Sequence, residues 1–599
     1  MKLMRLKSQW LVLVFTFLTL LLAACGDSAT ATTTPAGTAA STSTTAATTN
    51  AATAATTTTA SSSVAATTTA STTSGSANSD AILTVSAEQQ ATWVRNFNPF
   101  ILDNRWPTNW GIYESMFVYN TIKNEATPWL ATSWVWSTDN KKLTFTLRDG
   151  VKWSDGQPFS ANDVAFTFNL LKQNKALRGN NVWDYLSAVK AIDAKSVEFT
   201  FARLYTIGLY DLGQQVIVPE HLWKNVQDPL QYANENPVGT GPFTEVVKFE
   251  NQVWELDRNP NYWQPGKPYI KGMRFPAYSD NDQANLATVN GENDWSGDFI
   301  PDIEKTYIAK DPQNHNYWFL PTGDTVMLYV NTTRKPFDDV NVRKAISMCL
   351  DRSQIVKVAM YDYTHPADGT GLSDAYQDWK SPDAVAAGSD WVKRDVAKAN
   401  QMLTSAGLTQ GPGGMRTFNG QPLQYDINVV SGWSDWVSTS QIISQNLKQC
   451  GITAGVKTYD YSAWEERVQK GDFDMSIGWS TPGITPFQFY RGQMSNLSYH
   501  PLGELSVENW QRYKSADADT LLDQIATSTN LADQKKLASQ LQMVFAKEAP
   551  AIPLFPGPEW YEYNTSHFTG FPTKDNPYSI GSVSKEPERL LVLTSIKPK

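Results

Sequence analysis

Histidine and cysteine are scarce in this chain, with five and three among 599 residues. His221, His315, His365, His500 and His567 lie far apart, so no HExxH or other close metal-ligand spacing exists. GxSxG, GxGxxG and P-loop signatures are missing too, which removes the commonest marks of hydrolases, dinucleotide enzymes and NTPases. Carboxylates are plentiful, so an acid pair for glycoside hydrolysis stays open, but such a pair has no sequence signature. The reading is therefore of a binding protein rather than an enzyme, with no cofactor and no metal. Positive charge is also short: 50 Lys and Arg face 59 Asp and Glu, for a net charge of −9. That balance argues against nucleic acid as a partner.

Only one long apolar run stands out. Trp10 to Ala24 (WLVLVFTFLTLLLAA) follows Lys2, Arg5 and Lys7. Its length fits a signal-peptide core and is short for a membrane-spanning helix. The run ends in Leu22-Ala23-Ala24-Cys25-Gly26, which resembles the bacterial lipobox. Cleavage before Cys25 and lipidation of Cys25 are expected, anchoring the protein to the outer face of the cytoplasmic membrane. Losing residues 1–24 removes three positive charges and no acid, taking the net charge from −9 to −12. Residues 25–80 are nearly all Thr, Ala and Ser; they carry Asp27 and Asp80 as their only charges and Val64 as their only larger apolar residue. Such a segment cannot bury enough apolar surface to offset its ordering entropy, so it reads as a disordered tether.

What the sequence does have is tryptophan: 22, beside 24 Tyr and 25 Phe. Indoles supply core area, but they also stack on flat ligands and keep an N–H donor. Helix-like and strand-like segments alternate after residue 80. A hairpin is expected at 143–153 around Asp149-Gly150, a helix at 161–173 capped by Ser160 or Asn162, and a strand at 197–201. Helices are expected at 338–360, at 394–407 and at 438–451, the last two closed by Gly407 and Gly451, and a strand at 452–460. The order implies an α/β fold. Cys349 and Cys450 could pair in an oxidising compartment, but both adjoin helical sequence, and buried free thiols are the preferred reading.

LTFTLRDGVKWSDGQPFSANDVAFTF (143–168), NPVGTGPF (236–243), RNPNYW (258–263), LYVNTTRKPFDDVNVRKAISMCLDR (328–352), the helix over 399–407 and IPLF (552–555) together resemble the family 5 extracytoplasmic solute-binding proteins of peptide/nickel-type ABC importers. The resemblance implies a two-lobed periplasmic-binding-protein-like fold (class II) with an extra small domain and a ligand cleft between the lobes. Lobe I would hold 81–122, 236–333 and 554–599, the small domain 123–235 and lobe II 334–553. Hinge strands would lie near Asn331–Pro336 and Pro553–Pro556. It also implies a monomer that captures a small molecule and delivers it to permease subunits. A nickel or haem carrier is disfavoured by the few histidines.

The family's register also implies a site. Trp93, Asn96, Asn98 and Phe100 match a loop that lines the cleft. Trp433, Asp435, Trp436, Trp464, Trp479 and Ser480 match or flank ligand-contacting positions of lobe II. Trp110 and Trp295 read as core. Peptide-binding relatives keep an aspartate within three residues of the tryptophan that ends the lobe II strand, where it pairs with the ligand's α-ammonium. Here that stretch is Trp479-Ser480-Thr481-Pro482, with proline in the acid's place. Two ligands stay open: an oligopeptide, the family's usual cargo, and a cello- or β-glucan oligosaccharide, whose flat apolar faces suit indoles. A lipid-anchored glycoside hydrolase is the reading from another class.

Overall fold

The computed structural model describes residues 79–101 and 103–599. The signal peptide, Cys25 and all but the last two residues of the tether lie outside the described residues. Among those residues no helix is long and apolar enough to cross a membrane.

Three sheets organise the chain. A seven-stranded sheet runs in the order His315–Tyr317, Glu562–Asn564, Trp295–Ser296, Ile82–Ser86, Gly272–Pro276, Val253–Arg258, Phe243–Glu250. Its members come from three separate stretches of sequence, as a discontinuous lobe I requires. Ile82–Ser86 pairs in parallel with both neighbours, so its side chains are sheltered near the middle of the sheet.

A five-stranded sheet forms lobe II, in the order Thr453–Tyr459, Gln424–Val430, Met475–Trp479, Thr325–Val330, Ile552–Pro556. Gln424–Val430 is parallel to both of its neighbours, whereas Thr325–Val330 is antiparallel to both of its own. Every residue of Thr325–Val330 is buried, which is why TVMLYV is a run of large side chains rather than an alternation. The third sheet is antiparallel, in the order Ala131–Trp136, Lys142–Leu147, Ser196–Phe201, Leu186–Ala191. Helix Ala161–Gln173 packs on it, with Ser160 and Asp163 forming a reciprocal capping box.

Several local expectations are corrected. Lys142–Leu147 does not fold back at Asp149-Gly150; it pairs with Ala131–Trp136 and Ser196–Phe201, and Lys152 makes only an isolated bridge with Pro158. Asp149-Gly150 does form a turn, but the edges of Lys142–Leu147 are taken by the preceding strand, across the turn at 137–141, and by the distant Ser196–Phe201. The helix expected over 338–360 is two, Val340–Cys349 and Arg352–Ala359, because Asp351 caps a new start through the Gln354 N–H. Cys349 and Cys450 are not free thiols; they form a disulfide with Cα atoms 6.3 Å apart. The C-terminal ends of two helices converge there, a meeting no local pattern announces.

Thr325–Val330 and Ile552–Pro556 both belong to the five-stranded sheet, and 318–324 and 557–561 link them to His315–Tyr317 and Glu562–Asn564 of the seven-stranded sheet. There Gly323 N–H donates to Gly557 O at 3.0 Å and Gly557 N–H donates to Asp324 O at 3.0 Å. A Cβ on Gly323 would sit 2.7 Å from Gly557 O, so only glycine permits this approach.

Candidate ligand site

The strand Met475–Trp479 ends on the residue that organises the site. Met475, Ser476, Ile477 and Gly478 are buried, and Trp479 emerges half-buried at the edge. Gly478 has a packing reason: a Cβ there would lie 2.6 Å from the Trp510 ring. Trp510 thus lies against the strand and supports Trp479, with ring centroids 5.6 Å apart.

Around Trp479 the fold gathers rings from four further places. Trp433 ends the loop after strand Gln424–Val430, at 6.0 Å, and Trp436 stands one turn into helix Ser434–Lys448, at 5.9 Å. Trp464 in helix Tyr461–Lys470 is at 5.2 Å; Tyr461 is at 6.5 Å and within 9° of parallel. Trp433 and Trp436 meet edge to face at 4.9 Å. Trp464 and Trp510 are buried floor, whereas Trp433, Trp479 and Tyr461 are half-buried wall. Trp464 is fixed by its N–H to Ser476 Oγ at 3.1 Å. Among the described residues the indole N–H groups of Trp433, Trp436 and Trp479 donate to no protein atom, and that of Trp510 is buried without a partner. The wall is therefore a set of aromatic faces with spare neutral donors.

Charge around this wall is muted. Asp435 is 4% exposed in the first turn of its helix, and burial pushes its carboxyl up to about 7. Glu465, which accepts the Tyr461 hydroxyl at 3.3 Å, is also pushed up to about 7 by burial, with Arg178 pulling the other way. Near the strand end, Ser480 N–H donates to Thr325 O at 3.0 Å. The neighbouring Asp324 is pushed up to about 7 by burial, while Lys585 opposes that shift and Glu559 adds to it. Among the described residues no group of three or more His, Cys, Asp or Glu side chains could hold a metal ion. Two surface cavities, of about 360 and 350 Å³, lie away from the indoles, beside Tyr262 and Lys267 and beside Pro366 and Val392. Neither offers stacked rings.

The model of the bacterial extracellular solute-binding proteins, family 5 (Middle), matches residues 125–499. The chain belongs to this family. Among curated relatives it is 28% identical to the nickel-binding periplasmic protein of Escherichia coli K12 over 388 residues, covering 62% of this chain and 70% of the relative. It is 25% identical to the glutathione-binding protein GsiB of the same organism over 449 residues, covering 71% and 79%. Among solved structures, a mannohexaose-bound periplasmic oligopeptide-binding protein of an oligopeptide ABC transporter from Thermotoga maritima superposes with a TM-score of 0.79 at 26% identity, covering 86% of this chain and 98% of that one. AppA from Bacillus subtilis, in complex with a nonapeptide, shares the fold at a TM-score of 0.72 and 19% identity. The protein is thus the substrate-binding component of a peptide/nickel-type ABC importer, a class that binds small ligands outside the cytoplasm and delivers them to permeases. These relatives are binding proteins and not enzymes, so the glycoside hydrolase reading falls.

In this solute-binding protein Trp433, Trp436, Trp464 and Trp479 come together, with Asp435 next to them in sequence. Ser480 is buried at the strand end. Trp93, Asn98 and Phe100 are buried apart from this cluster. Trp93 donates to Phe275 O at 3.0 Å and packs edge-on to Trp254. Asn98 donates to Pro229 O and Tyr232 O, and Phe100 packs on Trp223 at 5.2 Å. Asn96, half-buried, accepts the Asn98 N–H. Trp295 is core as expected, and Trp110 is half-buried with its N–H on Ser115 Oγ. Sequence reasoning missed Tyr461 and Trp510. Tyr461 stands three residues before Trp464 on the same helical face, a readable signal. Trp510 sits in an irregular segment with no periodicity to mark it.

Asp435 gives a pH signature. Its folded carboxyl titrates near 7 against an unfolded value near 4, so the folded state holds the proton more tightly. Its contribution is intact at pH 4 and is lost as pH rises toward and through 7. Asp435→Asn removes that penalty and should stabilise the protein by up to about 4 kcal/mol at pH 8 and by almost nothing at pH 4. Urea unfolding at the two pH values measures this; an equal effect at both would show that burial is not the cause.

Proposed function

We propose that this solute-binding protein captures a neutral oligosaccharide of the cello- or β-glucan type for import. The observation that carries the reading is the indole wall with unpartnered N–H donors. Pyranose rings present flat C–H faces for the rings and oxygen acceptors for the donors, and need no charge partner. Supporting it, a relative named as an oligopeptide-binding protein holds mannohexaose. The strand end Trp479-Ser480-Thr481-Pro482 brings no acid of its own.

One observation favours an oligopeptide instead. Asp324, beside the residue that receives the Ser480 N–H, is a buried carboxyl that a ligand's α-ammonium would draw into its charged form. A thermal-shift screen decides between them. Cellobiose through cellohexaose should raise the melting temperature; stabilisation by a peptide library and not by these sugars would replace the sugar with a peptide. We also infer a lipid anchor at Cys25, from the lipobox-like LAAC sequence. Cys25→Ser should move the protein from the membrane fraction to the medium or periplasm, and retention in the membrane would refute the anchor.

A further inference from the structure

Lobe II is tied to the rest of the protein covalently only through 318–324 and 557–561. Every other contact it makes can open. One of these contacts reaches the indole wall. Asn281 is the first residue of helix Asn281–Val289 in lobe I, after strand Gly272–Pro276, and is 3% exposed. Its backbone N–H donates to Gly432 O at 3.1 Å, and its side-chain amide donates to Ser434 Oγ at 3.1 Å. Those two partners flank Trp433. The amide oxygen of Asn281 accepts from Gln89 Nε2 at 2.6 Å. Gln89 follows strand Ile82–Ser86, whose last residue donates from Ser86 Oγ to Asp298 at 3.0 Å. Asp298 is held on its other side by Thr288 Oγ1 at 3.1 Å.

The polar chain therefore begins in the interior of lobe I and ends on the two neighbours of a wall tryptophan in lobe II. Trp433 is held by ring packing and by its backbone N–H on Val430 O, but its indole N–H has no protein partner, and its helix begins without a side-chain cap. We propose that Asn281 is a positioning residue for ligand capture, a clasp that fastens the Trp433 loop to lobe I and holds the indole wall closed. Both hydrogen bonds cross from one lobe to the other, so they exist only when the lobes are together. Each therefore stabilises the closed form, which slows escape and, by holding part of the free protein shut, does not speed entry. This inference rests on reading the indole cluster as the ligand wall, and its test is arranged so that the two can fail separately.

The full chain is compared with Asn281→Ala, Ser434→Ala and the double variant. Ser434 is exposed, so its variant keeps the fold even if Asn281→Ala does not. Without ligand, hydrogen exchange at the residue 281 amide and the X-ray scattering radius report the clasp directly. Both should increase in each variant. With cellohexaose as probe, stopped-flow tryptophan fluorescence should show release accelerated roughly tenfold and association no slower, as expected when about one net hydrogen bond that holds the lobes closed is lost. The double variant should be no worse than Asn281→Ala alone, because the two side chains make one bond. Unchanged exchange and radius in both single variants overturn the clasp, as does strict additivity in the double. If cellohexaose fails to bind the unmodified protein while exchange and radius still respond, the clasp stands and the sugar assignment falls.

Discussion

Trp479→Ala should abolish the thermal response to cello-oligosaccharides while leaving a folded protein. The side chain lies beside every other ring of the wall, with centroids 5.2–6.5 Å away, and so joins the buried floor to the half-buried rim. Truncating a central aromatic anchor costs about 2–4 kcal/mol of binding, roughly 30- to 1,000-fold in affinity. At a ligand concentration about 100 times Kd the unmodified protein gains about 2.7 kcal/mol, so a loss of that size erases the signal. The fold tolerates the change because the anchoring bonds at this position are made by the main chain: the Trp479 carbonyl accepts the Tyr329 hydroxyl at 3.0 Å whatever the side chain. Trp510→Ala is the contrasting variant. Trp510 is 5% exposed and packs under Gly478, so its removal should lower the melting temperature without ligand as well. If Trp479→Ala keeps the sugar response, the wall lies elsewhere.

Removing the Cys349–Cys450 bridge should cost about 2–5 kcal/mol, since it closes a loop spanning 101 residues of sequence. The bridge joins the last residue of helix Val340–Cys349 to the turn that ends helix Ser434–Lys448. The latter helix carries Asp435 and Trp436 at its other end, so the loss should also weaken binding. Urea unfolding of the Cys349→Ala, Cys450→Ala double variant measures the stability. Dithiothreitol should destabilise the unmodified protein to a similar extent and leave the variant unaffected. Equal midpoints for the oxidised, reduced and substituted proteins would show that packing alone holds the two helices.

Where side-chain period and cap chemistry act locally, the sequence was readable. Ala161–Gln173 starts at a capping residue and ends within its apolar pattern. Thr453–Tyr459 follows Gly451 as a strand after a helix. Met475–Trp479 is a strand, as its alternation implies, although Ser476 and Gly478 are buried along with Met475 and Ile477, and it ends on the half-buried Trp479. Contacts set by distant partners were not readable. Asp149-Gly150 carries hairpin chemistry, but Lys142–Leu147 pairs with the strand just before it, from Trp136↔Leu143 outward, and with Ser196–Phe201 about 50 residues on. Asp351 looked like one residue in a long helix and is a cap. The Asn96–Phe100 loop resembles a cleft lining, yet Asn98 satisfies two carbonyls near residue 230, a need visible only once those segments meet. Within the site, tryptophans at strand ends and helix starts were found, whereas Trp510 was not. Its position depends on the space left by Gly478, and a space has no periodicity.

The indole cluster has an optical consequence. Trp433, Trp436, Trp464, Trp479 and Trp510 lie in a connected network of neighbours 4.9–6.3 Å apart. At such separations the excited states of the chromophores couple, so the far-ultraviolet circular dichroism carries an exciton couplet over the backbone signal, and emission from the cluster reports its least shielded member. If the ligand stacks on Trp433 or Trp479 as proposed, both signals change, and occupancy can then be followed without attaching a dye.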